Sequence, residues 1–95
     1  MDISKKFYYY TITDTWNDYD VNGTLDVKDD ISLSLHFTSG DTTHNFNYNY
    51  TDDEHVSVYL SCTKAIRKDL LTYCNTAVDD AMQLYEDELK NTTTE

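Results

Sequence analysis

Ninety-five residues with 39% hydrophobic side chains suffice for one folded domain with its own core, but not for one that also encloses a roomy active site. Eighteen carboxylates against seven Lys and Arg leave a formal net charge of -11, a field that repels nucleic-acid phosphates and anionic membranes and attracts cations and basic protein surfaces. No apolar run approaches the roughly 18–20 residues that span a bilayer, and no leader-like segment follows Met1, so the expected location is cytoplasmic with Cys62 and Cys74 as free thiols.

Period-two patterning governs the chain from Lys6 to Tyr50. Phe7 to Thr13 is rich in Tyr, Thr and Ile and is predicted as the first strand. Val21, Gly23, Leu25 and Val27 alternate with polar residues, as do Ile31, Leu33, Leu35 and Phe37, and then Phe46, Tyr48 and Tyr50. Three such alternations in succession imply a sheet with one buried and one wet face. Parity sets the registers. A two-residue turn at Gly40-Asp41, with Gly at the position of a type II′ turn that needs φ > 0, pairs Leu35 with Phe46, Leu33 with Tyr48 and Ile31 with Tyr50. A three-residue loop at Lys28-Asp29-Asp30 pairs Val27 with Ile31 and Leu25 with Leu33.

After Tyr50 the period lengthens. Thr51-Asp-Asp-Glu54 has the form of a capping box, and a helical stripe follows through Val56, Leu60, Ile66, Leu70, Tyr73, Cys74, Ala77, Ala81, Leu84 and Tyr85. A helix of that full length would reach roughly 58 Å at 1.5 Å per residue, too long to cover four strands, so a break is expected at Asn75-Thr76. His55 to Leu60, with its β-branched residues, has a competing reading as a fifth strand. The expected fold is α+β: one domain over residues 1–90, a four- or five-stranded antiparallel meander covered on one face by a C-terminal helix or helical hairpin, with a disordered tail at Asn91–Glu95.

One stretch matches a specific motif. DYDVNGTLDVKD, Asp18 to Asp29, resembles an EF-hand calcium loop, whose oxygens would come from Asp18, Asp20, Asn22, the Thr24 carbonyl, Asp26 and Asp29 around the turn at Gly23. It departs from that family in its last position, where Asp replaces the longer Glu, and in its flanks, which are patterned as strands. A strand cannot wrap an ion, so a calcium-stabilised domain is the lesser alternative. The same register sends His36 to the wet face and His44 to the inner one, which argues against a shared zinc site. No nucleophile elbow, glycine-rich phosphate loop or Cys-His-Asp spacing is present, so neither enzyme chemistry nor a cofactor is expected.

The distribution of acids is more informative. One end of the meander gathers Asp29, Asp30, Asp52, Asp53 and Glu54, and the other carries Asp14, Asp18, Asp20 and Asp41. Asp79, Asp80, Glu86, Asp87 and Glu88 lie late in the helical region, and Lys64, Arg67 and Lys68 form one small basic spot. Tyr8, Tyr10, Trp16, Tyr19 and Tyr59 are candidate exposed anchors. Aromatic rings among carboxylates suit a protein-binding surface, on which rings supply area and charges steer a basic partner.

In size, acidity, lack of proline and strand-then-helix order the chain resembles the small acidic inhibitors of phages and mobile elements, among them anti-CRISPR proteins and DNA mimics. The resemblance rests on no motif. It implies an inhibitor that occupies the basic nucleic-acid-binding surface of a DNA- or RNA-processing enzyme, such as an RNA-guided nuclease, inside a bacterial host cell. Asp14, Asp18, Asp20, Asp29, Asp30, Asp41, Asp52, Asp53 and Glu54 would be the contact acids, with Trp16 and Tyr19 as anchors. The alternative is a non-enzymatic dimerising module that uses its helices or a sheet edge.

Overall fold

The computed structural model describes residues 2–6, 9–27, 30–50 and 56–93. Six antiparallel strands, β1 (Asp2–Lys6), β2 (Tyr9–Trp16), β3 (Tyr19–Asp26), β4 (Ile31–Ser39), β5 (Thr42–Tyr50) and β6 (Val56–Ser61), lie in one sheet in chain order. A 3-10 turn (Lys64–Ile66) leads into one long helix, α1 (Arg67–Thr93). The class is α+β, as the patterning predicts.

The central strands follow from alternation alone. Leu33 lies opposite Leu25 on one side and Tyr48 on the other, and Leu35 pairs with Phe46, which are the predicted registers. The Gly40-Asp41 turn holds two residues, with Gly40 at φ 59° and Asp41 on the ordinary side, the type II′ pattern. A second two-residue turn, Asn17-Asp18, joins β2 to β3 with both residues at positive φ (48° and 67°). Two positive values define a type I′ turn, whose twist matches that of the flanking strands. The core is Tyr10, Ile12, Val21, Leu25, Val27, Ile31, Leu33, Leu35, Phe37 and Phe46 from the sheet, closed by Leu70, Cys74, Ala77 and Ala81 of α1. The small alanines let the helix settle close to the strands.

Three expectations are corrected. The sheet has six strands, not four or five. β1 was not foreseen because Asp-Ile-Ser-Lys-Lys offers one apolar residue and is exposed throughout, so no periodic signal marks it. Val56–Ser61 is a strand, as the competing reading of His55 to Leu60 has it, and not the first turns of a helix. Its pairing with β5, Tyr50 to Val56, Tyr48 to Val58 and Phe46 to Leu60, overrides the helical spacing. The Thr51–Glu54 capping box lies outside the described residues; the helical region begins instead after Thr63.

α1 is also unbroken at Asn75-Thr76, so there is no helical hairpin. The hydroxyls of Thr72 and Thr76 donate back to the carbonyls of Lys68 and Thr72, at 3.1 and 3.2 Å, so both are satisfied inside the helix. With the first part of the stripe taken by β6, the remaining 27 residues span about 40 Å, within the longest molecular dimension of 47 Å. The helix continues to Thr93, into the stretch expected as a tail.

Candidate interaction surfaces

α1 packs on the inner face of the sheet and is fixed to β2 near its start and to β1 and β2 near its far end. Near its start the Tyr73 hydroxyl donates to Asp14 Oδ2 at 2.6 Å. That bond, with help from the Thr15 backbone amide, holds the Asp14 carboxyl below its ordinary value against the opposing effect of burial. Burial first, then Asp14, raises the Tyr73 phenol well above its ordinary value. Near the far end Glu88 accepts from the Lys5 ammonium and from the Tyr10 hydroxyl, the latter at 2.8 Å. Those two bonds lower the Glu88 carboxyl, while burial and Glu88 push Tyr10 up to about 12.

The clamp and the rings beside it hold part of the sequence-derived set. Asp14, Trp16 and Tyr19 are half-buried on the helix side and belong to the packing. Trp16 stacks on Tyr19 with ring centroids 6.0 Å apart and meets Phe37 and Tyr73 edge-on or tilted at the same separation. Tyr19 lies 5.3 Å from the buried His44 ring, and its hydroxyl is 3.2 Å from His44 Nε2. Tyr10 is buried in the core and is no exposed anchor. The packing of Trp16 and Tyr19 is hard to see in the sequence because the last residues of β2 and the first of β3 look like hairpin tip, yet the tip is only Asn17-Asp18.

Other acids do stand in solvent. Asp18, Asp20 and Asp41 are exposed at the end of the sheet that carries the β2–β3 and β4–β5 turns, and Asp30 is exposed at the opposite end. Asp29, Asp52, Asp53 and Glu54 lie outside the described residues. Within the segment that matches a calcium loop, Asp20, Asn22, Thr24 and Asp26 are alternate residues on the outer face of straight β3. Same-face neighbours on a strand are about 6.6 Å apart, whereas calcium gathers its oxygens at about 2.3–2.6 Å. The four side chains therefore form a row and not a cage. No cluster of three or more His, Cys, Asp or Glu side chains converges among the described residues.

The middle of the outer face, between Asp20 and Asp26, is a grid of uncharged hydrogen-bonding groups and His36. Thr11, Thr24, Ser34 and Asn47 lie in register across four strands, and Thr13, Asn22, His36 and Asn45 form the next row. Ser34 Oγ donates to Asn47 Oδ1 at 2.7 Å, and His36 Nδ1 is 2.6 Å from Asn45 Oδ1, so the polar groups are tied to one another across β4 and β5.

The outward side of α1 carries the acids that sequence reading counted but did not nominate. Asp69, Asp79, Asp80, Glu86 and Asp87 are all exposed. Asp80 and Asp87 are two helical turns apart, about 10 Å, and Asp79 and Glu86 run beside them at the same interval. Their common face could have been found from their sevenfold spacing. Comparison with protein-family models, with curated proteins and with solved structures found no match.

Proposed function

We propose that this protein is a non-enzymatic acidic inhibitor that occupies the basic nucleic-acid-binding surface of a DNA- or RNA-processing protein, an RNA-guided nuclease being one such target. The supporting observation is the exposed acidic row of α1, Asp79, Asp80, Glu86 and Asp87, held on a helix clamped near both ends. Asp79 and Asp80 sit at the middle of α1 and Glu86 and Asp87 beyond it, all outside the first turn where a helix dipole stabilises carboxylates. Glu88 has an internal role through Lys5 and Tyr10, and Asp87 accepts from Gln83 Nε2 at 3.2 Å on the helix surface, a weak exposed contact that leaves its charge in solvent. An array that costs folding energy and stays in solvent is accounted for by a cationic surface outside the chain. Asp18, Asp20, Asp30 and Asp41 extend the negative surface to both sheet ends. Binding would draw on charge pairing and displacement of the nucleic acid, with rapid, salt-sensitive association.

The test is capture from a bacterial lysate at low salt, by the wild-type chain and by a variant carrying D79N, D80N, E86Q and D87N. Proteins eluted by rising salt are then assayed for competition between the chain and duplex DNA. Wild type is expected to retain nucleic-acid-binding proteins and to displace their DNA, and the neutralised variant to lose both. Equal behaviour of the two chains, or retained proteins that never bind nucleic acid, rejects the reading.

A further inference from the structure

The two edges of the sheet are built differently. β1, Asp-Ile-Ser-Lys-Lys, carries three charged side chains, and Lys5 is engaged by Glu88. β6, Val-Ser-Val-Tyr-Leu-Ser, carries none. Charged residues, above all Lys, are how natural sheets keep an edge from pairing with another chain. In a molecule of net charge -11, a charge-free edge strand stands out from its surroundings.

The core also runs out to this edge without closing. Leu33, Tyr48 and Val58 form one in-register row on the helix side, Ile31, Tyr50 and Val56 the next, and Leu35, Phe46 and Leu60 the third. Each row starts fully buried in β4 and finishes at β6, where Val56 is 49% and Val58 55% exposed. On the outer face Tyr59 is 57% exposed.

We propose that β6 pairs antiparallel with β6 of a second copy of this chain, joining two sheets into one of twelve strands across a twofold axis normal to the sheet. Three features select a second copy over a foreign strand. Under such an axis facing residues share a face, and the register centred on the strand sets Val58 opposite Val58 of the partner subunit and Val56 opposite Leu60 of the partner subunit. All three truncated core rows then continue into the other molecule, with both helices on the same side. A basic partner, which the acidic surfaces would attract, finds no carboxylate on β6 itself. Finally, the sequence before the strand holds Asp52, Asp53 and Glu54, and the sequence after it holds Lys64, Arg67 and Lys68. Antiparallel pairing runs the two chains in opposite directions, which matches this order of charge along the sequence and favours encounter of two copies, while the pairing itself rests on backbone bonds and apolar rows. Pairing of two six-residue strands makes a small contact, of the class of transient pairs below about 1,200 Å², so exchange between monomer and dimer in the micromolar range is expected.

Sedimentation velocity of the full chain over a wide concentration range tests this, with Val58→Lys as the probe and Ile3→Lys on the opposite edge as control. Wild type and Ile3→Lys are expected to reach twice the chain mass of 11.1 kDa. Val58→Lys would set two ammonium groups face to face at the axis and weaken association by about tenfold or more. Circular dichroism confirms that each variant is folded. A readout that needs no variant is hydrogen exchange of wild type, where β6 amides should gain protection as concentration rises. Wild type that stays monomeric throughout, Val58→Lys that dimerises like wild type, or β6 protection independent of concentration each overturns the proposal. The dimer should persist at high salt, where capture of a basic partner fails, so loss of one activity is not mistaken for loss of the other.

Discussion

At the residue scale the chain is held by a few polar bonds on the edge of an apolar core, and these make its stability depend on pH in a definite direction. Asp14 titrates lower in the folded state than in the unfolded chain because Tyr73 donates to its carboxylate. Its stabilisation is therefore complete above the unfolded value, near 3.8, and is lost as pH falls through the folded one. Tyr10 moves the other way, to about 12, so its contribution is complete below its ordinary value of 10.0 and fades as pH rises from there towards 12. Chemical denaturation at pH 3, 7 and 11 is expected to give the highest stability at pH 7. Tyr73→Phe should cost about 1 kcal/mol at pH 7 and flatten the acid side of that profile, because the removed hydrogen bond goes to a charged acceptor. Cysteine accessibility offers an independent check. Cys74 is fully buried, and burial, assisted by nearby Cys62, pushes its thiol up to about 12. A thiol reagent should thus label Cys62 in the native protein and both cysteines only after denaturation.

At the scale of elements the turns and one strand glycine carry the sharpest predictions. Asp18 occupies a left-handed position, φ 67°, which Gly adopts without penalty. Asp18→Gly makes the turn Asn-Gly and should raise stability by about 0.5 kcal/mol in a urea titration, while removing one exposed acid. Gly23 is different. A Cβ there would collide with the Ser34 carbonyl and come within 2.7 Å of Leu35 Cδ2, because β3 and β4 pack closely at that point. Gly23→Ala should therefore destabilise by about 1–3 kcal/mol. The same glycine was the sharp-turn position of the apparent calcium loop; in the sheet it makes room for a neighbouring strand.

These elements also show where sequence patterning has power. β3, β4 and β5 bury one face and wet the other, so a period of two and the parity of their turns were enough to place Leu25, Leu33 and Tyr48 opposite one another. β1 and β6 are edge strands. β1 lacks an apolar face, and β6 has one that also fits a helical stripe, so only pairing with a neighbour distinguishes the two for β6. Among the candidate residues, solvent exposure is legible in the sequence where acids fall in turns, as at Asp18 and Asp41. It is not legible where an acid or a ring faces the helix, as at Asp14 and Trp16, because which face α1 covers depends on the full sheet.

At the scale of the whole molecule charge is the dominant property. Eighteen carboxylates on a body of 47 × 26 × 17 Å repel one another, so the wild-type melting temperature should climb as salt is added. The chain with D79N, D80N, E86Q and D87N should melt higher than wild type at low salt and respond less to added salt. That outcome would mark the α1 acids as a burden on the fold, retained for contact with another molecule. A variant no more stable than wild type would instead mean that these acids are internally compensated.

The helix that closes the core is synthesised after every strand it covers, and its far anchor, Glu88, reaches back to Lys5 and Tyr10. A ribosome thus releases a bare sheet first and its cover last. Until the final turns emerge, the oily side of every strand stands in water, and nascent chains stalled before Leu70 should clump or recruit chaperones, whereas finished ones should not.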